Sequence, residues 1–240
     1  MEKPKVLITG ASKGLGLAMA ELLAADYCLI LHASKPENLP AATAGNYVLC
    51  ADLSSKEELN NFCKRLKNEH GDSLYAVINN AGIALDKSII FQPEAEIDKM
   101  LAVNLKAPIM ISKVAMKIFG LKKRGVIINL SSSVGETGNA FQSVYAATKA
   151  GLVAFSKSLA KEAAMLNDEH QIRVLCISPG FIETEMTDAI PENYRQKYLE
   201  IIPAKRYGKA LEVAETVRFL LSDKASYING TNIHVNGGMV

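Results

Sequence analysis

The sequence predicts an α/β fold in which a doubly wound parallel sheet of about seven strands is covered by helices on both faces. Short, nearly continuous apolar runs alternate with longer amphipathic stretches along the whole chain. Strands buried on both faces of a parallel sheet have that apolar pattern, and the stretches between them suit crossover helices. No Pro-, Gly- or Ser-rich linker, repeat or low-complexity tract divides the chain, so we expect one domain covering residues 1–240.

The composition is that of a globular protein with a sizeable core, since 49% of the residues are hydrophobic and 22% are charged. A net charge of +2 is too small to predict nucleic-acid binding. The cysteines and histidines lack the spacing of metal ligands, and we expect a cytoplasmic protein with reduced thiols and no metal. No apolar stretch is long enough for a signal peptide or a membrane span, so we expect no membrane contact.

The predicted strands follow in order along the chain: 5–8 (KVLI), 28–32 (CLILH), 47–51 (YVLCA), 75–79 (YAVIN), 125–130 (GVIINL), 172–178 (IRVLCIS) and 231–236 (TNIHVN). Apolar residues recur at helical spacing between them, as at Leu59 and Phe62. Ser54 or Ser55, together with Glu58, resembles a capping box that opens this helix.

The segment 181–207, before the last helix and strand, differs from the rest of the chain. It has no strand signal and contains PENY and PAKRYG. We expect a mobile insertion that serves as a lid over the substrate.

A glycine-rich loop, TGASKGLG (9–16), follows the first strand run. Its spacing, G-x-x-x-G-x-G, differs from the common dinucleotide fingerprint G-x-G-x-x-G. Apolar residues at helical spacing come next, so the loop joins a strand to a helix. Glycines at such a junction let backbone N–H groups approach a pyrophosphate. Taken alone, the motif is also compatible with a tight turn that binds nothing.

A second polar motif, NNAG (79–82), ends the fourth strand run. The carboxyl ends of the strands are where open α/β sheets bind ligands. Taken alone, an Asn-Gly type of turn explains the motif equally well.

The sharpest motif for chemistry comprises Ser132, Tyr145 and Lys149. Tyr145 and Lys149 are four residues apart on a predicted helix and therefore share a face. A neighbouring ammonium lowers the pKa of a tyrosine, which is ordinarily ~10. A serine hydroxyl can hold a carbonyl oxygen while hydride arrives. Taken alone, Y-x-x-x-K is more often a solvated helix pair.

Together these motifs resemble the short-chain dehydrogenase/reductase family over nearly the whole chain. T-G-x-x-x-G-x-G, N-N-A-G, the asparagine of AVNLKA, Ser…Y-x-x-x-K and SPG occur in the family's order and spacing. The resemblance implies a Rossmann-like fold and four catalytic residues. Tyr145 is the general acid in reduction and the base in oxidation, and Lys149 lowers its pKa and binds the nicotinamide ribose. Ser132 polarises the carbonyl, and Asn104 supports a proton-relay water.

The resemblance also implies where the cofactor binds. Asp52 and Leu53 meet the adenine, and the segment beginning at Pro179 passes beside the nicotinamide. The predicted cofactor-binding residues are Gly10, Ser12, Lys13, Gly14, Leu15, Gly16, His32, Ser34, Lys35, Asp52, Leu53, Asn80, Ala81, Gly82, Tyr145, Lys149, Pro179, Gly180, Ile182 and Thr184.

The end of the second strand predicts which nicotinamide cofactor binds. NAD-selective folds place a carboxylate roughly 20 residues after the glycines, but residues 32–34 include no acid, and Glu37 lies beyond the strand. Lys13, Ser34 and Lys35 instead offer cations and a hydroxyl, which suit a 2′-phosphate. We predict NADP(H), although Lys35 is equally explained as a surface lysine.

Within the family, the chain most resembles 3-oxoacyl-acyl-carrier-protein reductases. The similar stretches are KAGLVAFSKSLAKE, SPGFIETEM, IPAKRYGKALEVAETVRFLLSD and YINGTNIHVNGGMV. The resemblance implies reduction of a 3-oxoacyl thioester to the 3-hydroxyacyl form, in fatty-acid or polyketide/polyene-type chain synthesis. It also implies a homotetramer that packs through the tyrosine-bearing helix region and the C-terminal strand.

An acyl-carrier protein is acidic, and we expect it to dock on basic residues near the cleft. Lys122, Lys123 and Arg124 are candidates, although a basic helix terminus explains them equally well. Asp168 and Glu169 lie where such reductases offer a docking arginine. The alternatives are a reductase of a free ketone, sugar or steroid-like alcohol and, more remotely, a non-catalytic nucleotide sensor, which would not need the four catalytic residues.

Overall fold

The computed structural model describes residues 3–39, 46–166, 171–184 and 192–240. The strands within this part of the chain are β1 (Lys5–Ile8), β2 (Cys28–Ala33), β3 (Tyr47–Cys50), β4 (Leu74–Asn79), β5 (Gly125–Leu130), β6 (Ile172–Pro179), β7 (Ile182–Glu183), β8 (Gly208–Lys209) and β9 (Asn232–Val235). The α-helices are α1 (Gly14–Leu23), α2 (Lys56–His70), α3 (Glu94–Leu101), α4 (Ala107–Lys122), α5 (Val134–Thr137), α6 (Ser143–Met165), α7 (Glu192–Ile201) and α8 (Ala210–Leu221).

The predicted fold class is confirmed, because a seven-stranded sheet in the order β3-β2-β1-β4-β5-β6-β9 forms in the described residues. Every neighbouring pair in this sheet is parallel. β1 lies between β2 and β4, so the chain winds towards β3 on one side and towards β9 on the other. Ligands bind at such a reversal, outside the carboxyl ends of the strands.

Helices cover both faces of the sheet, as the apolar runs predict. On one face α2, α4 and α6 bury side chains such as Phe62, Phe119 and Leu159. On the other face α1 and α8 bury side chains such as Met19 and Val217. The central strands are therefore shielded from water on both sides, and a ligand is expected at the loops that follow the carboxyl ends of the strands.

The start of α2 resolves the alternative between the two serines. Ser55 is the N-cap, and its hydroxyl oxygen accepts the Glu58 amide at 3.3 Å. The Glu58 carboxylate does not complete a capping box, since it accepts the amide of Asp52 at 2.7 Å. Of the two hydrogen bonds of a capping box, α2 therefore has only the one from the Glu58 amide to the Ser55 side chain.

The segment 181–207, which has no strand signal in the sequence, contains the short strand β7. β7 pairs with β8, which follows the segment, in a small separate sheet, and α7 lies between them in sequence. Each of these strands has only two residues, which is too short to show an alternating pattern. Residues 185–191 of the predicted lid lie outside the described residues, as do Asp168 and Glu169.

Candidate active site

The loop between β1 and α1 requires glycine at two positions, because a side chain would not fit there. Gly10 has a φ of +66°, and a Cβ built on it would lie 2.9 Å from the Cα of Ala81. A Cβ on Gly16 would overlap the carbonyl oxygen of Gly10. At Gly10 and Gly16 the backbone lies in direct contact with neighbouring backbone atoms. Because neither residue has a side chain, the space at the junction between β1 and α1 stays open.

The first turn of α1 is open to a ligand. Its N-cap, Lys13, has extended backbone and makes no capping hydrogen bond with its side chain, and the turn contains no acidic residue. The first N–H groups of such a helix favour an anion. Thr184 faces this turn, since its Cγ2 lies 3.6 Å from a Cβ built on Gly14.

Thr9 joins the glycine loop to the NNAG turn. Its hydroxyl oxygen accepts the amides of Asn80 and Ala81 at 2.9 and 3.0 Å. The Asn80 side chain donates in return to the carbonyl oxygens of Thr9 and Gly10, at 2.9 and 3.1 Å. The two loops flank the reversal between β1 and β4. Thr9 is not among the predicted site residues, although a polar residue directly after an apolar strand is a visible signal in the sequence.

A chain of buried amides and hydroxyls lies below the site, between the sheet and the helices. The Asn79 side chain donates to Ser112 at 3.1 Å and to Asn129 at 2.7 Å. Asn129 donates to Ser156 at 2.8 Å. These bonds connect β4, β5, α4 and α6, and the last three residues were not predicted because their partners are remote in sequence.

Ser132 is the accessible member of the three adjacent serines. Ser131 and Ser133 are buried, and the Ser131 hydroxyl donates to the carbonyl oxygen of Lys149 at 2.8 Å. Ser132 is partly exposed and hydrogen-bonds to Tyr145. The structure therefore brings the predicted Ser132 and Tyr145 together.

Lys149 lies beneath Tyr145 in a desolvated position. Its ammonium donates to the Leu130 carbonyl oxygen at 2.7 Å and lies 5.6 Å from the centre of the Tyr145 ring. Burial lowers the pKa of Lys149 to about 8. Near neutral pH the side chain is thus still mainly cationic, but only by a small margin.

The pKa of Tyr145 is shifted mainly by burial, and the lowering of this pKa by Lys149 stays a prediction. The pKa of Tyr145 is raised to about 12, because the increase caused by burial outweighs the decrease caused by the hydrogen bond with Ser132, and the Asp86 carboxylate adds a smaller increase. The physical reason is that desolvation of the phenolate outweighs its stabilisation by neighbouring groups. Tyr145 is therefore a protonated phenol at neutral pH, which is the form of a general acid.

Asn104 completes the floor of the site from a π-helical turn, Ala102–Lys106, between α3 and α4. Its side chain is fully buried, accepts the Ile83 amide and donates to the Ile83 carbonyl oxygen, both at 2.8 Å, and also donates to Thr148 at 3.3 Å. A Cβ on Gly82 would lie 3.4 Å from the Lys149 ammonium and 3.5 Å from the Asn104 oxygen. Asn104 thus lies beside Lys149, while its support of a relay water stays a prediction.

Comparisons with known proteins agree with this geometry. A family model described as Enoyl-(Acyl carrier protein) reductase matches residues 10–240. The chain belongs to the short-chain dehydrogenase/reductase family. It is 38% identical, over 97% of its length and 96% of the relative, to the 3-oxoacyl-[acyl-carrier-protein] reductase FabG of Escherichia coli (strain K12). It is 40% identical, with the same coverage, to the enzyme of that name from Aquifex aeolicus (strain VF5). It is 38% identical to Nodulation protein G of Rhizobium sp. (strain N33), over 98% of this chain and 96% of that protein.

As a short-chain dehydrogenase/reductase, the protein is an oxidoreductase, and family membership implies a nicotinamide cofactor. The segment predicted to lie beside the nicotinamide is held by backbone hydrogen bonds and close packing. The Ser133 amide donates to the Pro179 carbonyl oxygen at 2.9 Å, and the Gly180 amide donates to Val235 at 3.0 Å. A Cβ on Gly180 would lie 2.8 Å from the Cα of Asn236, and the Ile182 side chain is buried.

The predicted adenosine side lies at the ends of β2 and β3. Ser34 and Lys35 are exposed there. The Asp52 carboxylate accepts the amide and hydroxyl of Ser54, at 2.9 and 2.7 Å, and these bonds lower its pKa. The Leu53 side chain is buried in the core, so only its backbone can face adenine.

His32 differs from its predicted role as a direct cofactor contact. The side chain is buried, and both ring nitrogens are bonded to the protein backbone. No ring nitrogen remains for the cofactor, because the ring packs under the glycine loop.

The predicted carrier-docking patch, Lys122, Lys123 and Arg124, precedes β5, whereas Ser132 follows it, so the six residues of β5 place about 20 Å along the strand between them. Docking of the carrier protein on this patch stays a prediction. Lys122 donates to the carbonyl oxygens of Asp72 and Leu74, Lys123 donates to that of Leu166, and Arg124 pairs with Asp223. The three side chains thus make contacts at the amino-terminal edge of the sheet.

In the part of the chain that the structure describes, no helix has the length and apolarity needed to cross a bilayer. Among the same residues, no group of three or more His, Cys, Asp or Glu side chains could hold a metal ion.

Proposed function

We propose that the protein is a single-domain, NADPH-dependent reductase that converts a 3-oxoacyl thioester, carried by an acyl-carrier protein, to the 3-hydroxyacyl thioester. The observation that carries this proposal is the convergence of Ser132, protonated Tyr145 and cationic Lys149 at the carboxyl end of the sheet. The curated relatives named 3-oxoacyl-[acyl-carrier-protein] reductase, which match nearly the whole chain, support the substrate class.

The residues present fit a dinucleotide. Gly10 and Gly16 leave backbone where any side chain would clash, and the uncapped first turn of α1 favours a pyrophosphate. The Thr184 side chain lies next to Gly14 at this turn. Ser12, Gly14, Leu15 and the Asn80–Gly82 turn line the same junction in our proposal.

When bound, NADPH supplies the hydride that reduces the keto carbon. The Ser132 hydroxyl donates a hydrogen bond to the keto oxygen and holds it. Tyr145 transfers its phenolic proton to that oxygen as negative charge develops, so one hydride and one proton complete the alcohol. The ammonium of Lys149 stabilises the phenolate that remains and binds the nicotinamide ribose. Asn104, which is hydrogen-bonded to Ile83 and Thr148, lies beside this ammonium.

The preference for NADP(H) rests on charge at the end of β2. No carboxylate occupies residues 32–34, and Ser34 and Lys35 are exposed beside the strand end. Lys13, on the glycine loop, is exposed as well. Cations and hydroxyls there would bind a 2′-phosphate, whereas a carboxylate would repel it.

The remaining parts of the proposal concern assembly and location. β9 is an edge strand of the sheet, and exposed apolar side chains include Leu101 and Phe219. Edges and apolar surface of this kind are commonly covered by another subunit, which supports a homotetramer. We also propose that the protein acts in the cytoplasm, in fatty-acid or related chain synthesis.

An NADPH-oxidation assay over matched substrates tests the proposal. The panel is an acetoacetyl thioester on carrier protein and on coenzyme A, a trans-2-enoyl thioester on the same carrier, and a free ketone. We expect kcat/KM for the 3-oxoacyl thioesters to exceed that for the others by at least about tenfold, or ~1.4 kcal/mol. Preference for the enoyl thioester or for the free ketone contradicts the substrate assignment.

The Tyr145→Phe variant tests the chemistry separately from binding. It keeps the ring and removes the proton donor, so we expect turnover to fall by about 10²–10⁴-fold. NADPH binding, followed by calorimetry, should remain. Unchanged turnover with intact binding would remove Tyr145 from the reaction.

A further inference from the structure

His32 connects three separate parts of the cofactor region. It lies near the end of β2 and is only 3% exposed. Its Nδ1 accepts the Gly10 amide at 3.2 Å, and its Nε2 lies 3.0 Å from the Ala51 carbonyl oxygen after β3. The ring packs edge-on against Phe62 of α2, with 5.2 Å between the ring centres. One side chain thus ties the glycine loop to the end of β3.

The partners of the ring determine its protonation state. An amide can only donate and a carbonyl oxygen can only accept. Nδ1 must therefore offer a lone pair to Gly10 while Nε2–H donates to Ala51, which is one neutral tautomer. A protonated ring would point a second N–H at the Gly10 amide, and that hydrogen bond would be lost.

The Gly10 amide, which donates to His32, lies where the chain leaves β1 and turns into the glycine loop. Gly10 has a left-handed backbone with a φ of +66°, and the next amide, that of Ala11, donates to the His32 backbone carbonyl at 2.8 Å. His32 therefore binds two successive amides at the point where the chain turns from β1 towards α1. Their orientation sets the path of the loop up to Gly14.

The charged groups closest to His32 along the elements that pack against it lie after β2 and β3, on the glycine loop and at the start of α2. Asp52 and Glu58 lie beyond Ala51, Lys13 lies on the glycine loop, and Lys35 follows β2. Burial holds the pKa of His32 below its ordinary value, and the hydrogen bond with Ala51 opposes this. In the described part of the chain, none of these charged groups is among the causes of the shift.

We propose that neutral His32 is a positioning residue that holds the glycine loop in the conformation that binds the dinucleotide, so that protonation of His32 weakens binding. The inference rests on the proposed cofactor site. Binding and ring protonation are then linked, because each disfavours the other to the same extent. The ring is neutral at neutral pH, and affinity declines as pH falls below its pKa, by up to about tenfold per pH unit for one proton.

Two substitutions separate the two ring nitrogens. In His32→Asn the amide oxygen takes the place of Nδ1, and the Gly10 bond survives without a titratable group. In His32→Gln the amide nitrogen takes the place of Nε2, and only the Ala51 bond survives. His70→Asn is the matched control, because His70 is also a buried histidine but lies at the end of α2 against Tyr47.

The measurement is calorimetric binding of NADP⁺, which is stable in acid, from about pH 7.5 to about pH 5. We expect His32→Asn to bind like the wild type at neutral pH, within about threefold, and to lack the part of the acid-side loss that belongs to His32. We expect His32→Gln to bind about tenfold more weakly throughout, the equivalent of one hydrogen bond. His70→Asn should follow the wild type, and the 2′-phosphate titrates identically in all four proteins.

Two further readouts exclude a merely structural role. Nitrogen NMR of the protein without cofactor should show His32 protonated on Nε2 alone at neutral pH. At saturating NADPH, kcat should remain within about twofold in both His32 variants, so the effect lies in affinity. Thermal unfolding confirms that each variant is folded.

The outcomes distinguish this inference from the proposed function. If wild-type protein binds NADP⁺ and neither variant changes its affinity or its pH profile, His32 does not position the loop, while the cofactor site stands. If folded wild-type protein binds neither NADP⁺ nor NADPH, the proposed function fails, and this inference fails with it.

Discussion

Replacing Lys149 with methionine should stabilise the protein while it abolishes most activity. Lys149 is 4% exposed, and burial lowers its pKa from 10.5 to about 8. A shift of this size means that the folded protein disfavours the charged form by about 3 kcal/mol. Methionine fills a similar space without charge, although the Leu130 carbonyl oxygen loses its 2.7 Å partner, at a cost of about 1–2 kcal/mol.

The net gain in the free energy of unfolding at pH 7 is therefore about 1–2 kcal/mol, or roughly 2–8 °C in Tm for a chain of this size. The sign of the pH dependence follows from the lowered pKa. Between about pH 8 and pH 10.5 the unfolded wild-type chain binds more protons than the folded one, so wild-type stability rises with pH. The advantage of Lys149→Met should shrink over this interval.

Urea unfolding at two pH values and steady-state turnover provide the assay. We expect turnover of Lys149→Met to fall by about 10²-fold or more, because the phenolate of Tyr145 loses its cation. Lys157→Met is the control, since Lys157 is exposed on the same helix, and it should change neither property. Loss of more than about 1 kcal/mol at pH 7 in Lys149→Met, or an advantage that does not change with pH, would refute the reasoning.

Two other substitutions test the geometry at the edges of the site. Phe141 has a φ of +67° and is 65% exposed, so Phe141→Gly should raise the free energy of unfolding by about 0.5–1 kcal/mol through relief of the left-handed backbone. Phe141→Ala keeps that backbone and should show no gain in thermal or urea unfolding; an equal gain would assign the effect to the ring. Ser34→Asp should shift the ratio of kcat/KM values towards NADH, because a carboxylate binds the ribose 2′-hydroxyl and repels a 2′-phosphate. An unchanged ratio would place the 2′ position away from the end of β2.

The sequence predicted those parts of the site whose signal is local. Tyr145 and Lys149 share a helix, Ser132 follows an apolar strand, and the glycines follow β1, so spacing along the chain sufficed. All seven predicted strands of the main sheet occur. A short apolar run between polar stretches is buried most readily as a strand inside a sheet that is covered on both faces. The two-residue β7 and β8 carry no such pattern and were missed.

The sequence by itself thus determined the sheet, the loops at its carboxyl end and the identity of the reactive side chains. Only the tertiary structure decided their ionisation, because the pKa values of Tyr145 and Lys149 depend on how much water the assembled fold excludes. It also showed that Lys122 and Lys123 donate hydrogen bonds to backbone carbonyl oxygens of Asp72, Leu74 and Leu166. It further showed that the His32 ring accepts a hydrogen bond from Gly10, 22 residues away along the chain, where the sequence had predicted a cofactor contact. Burial and long-range hydrogen bonds arise only when distant segments pack, so no local pattern records them.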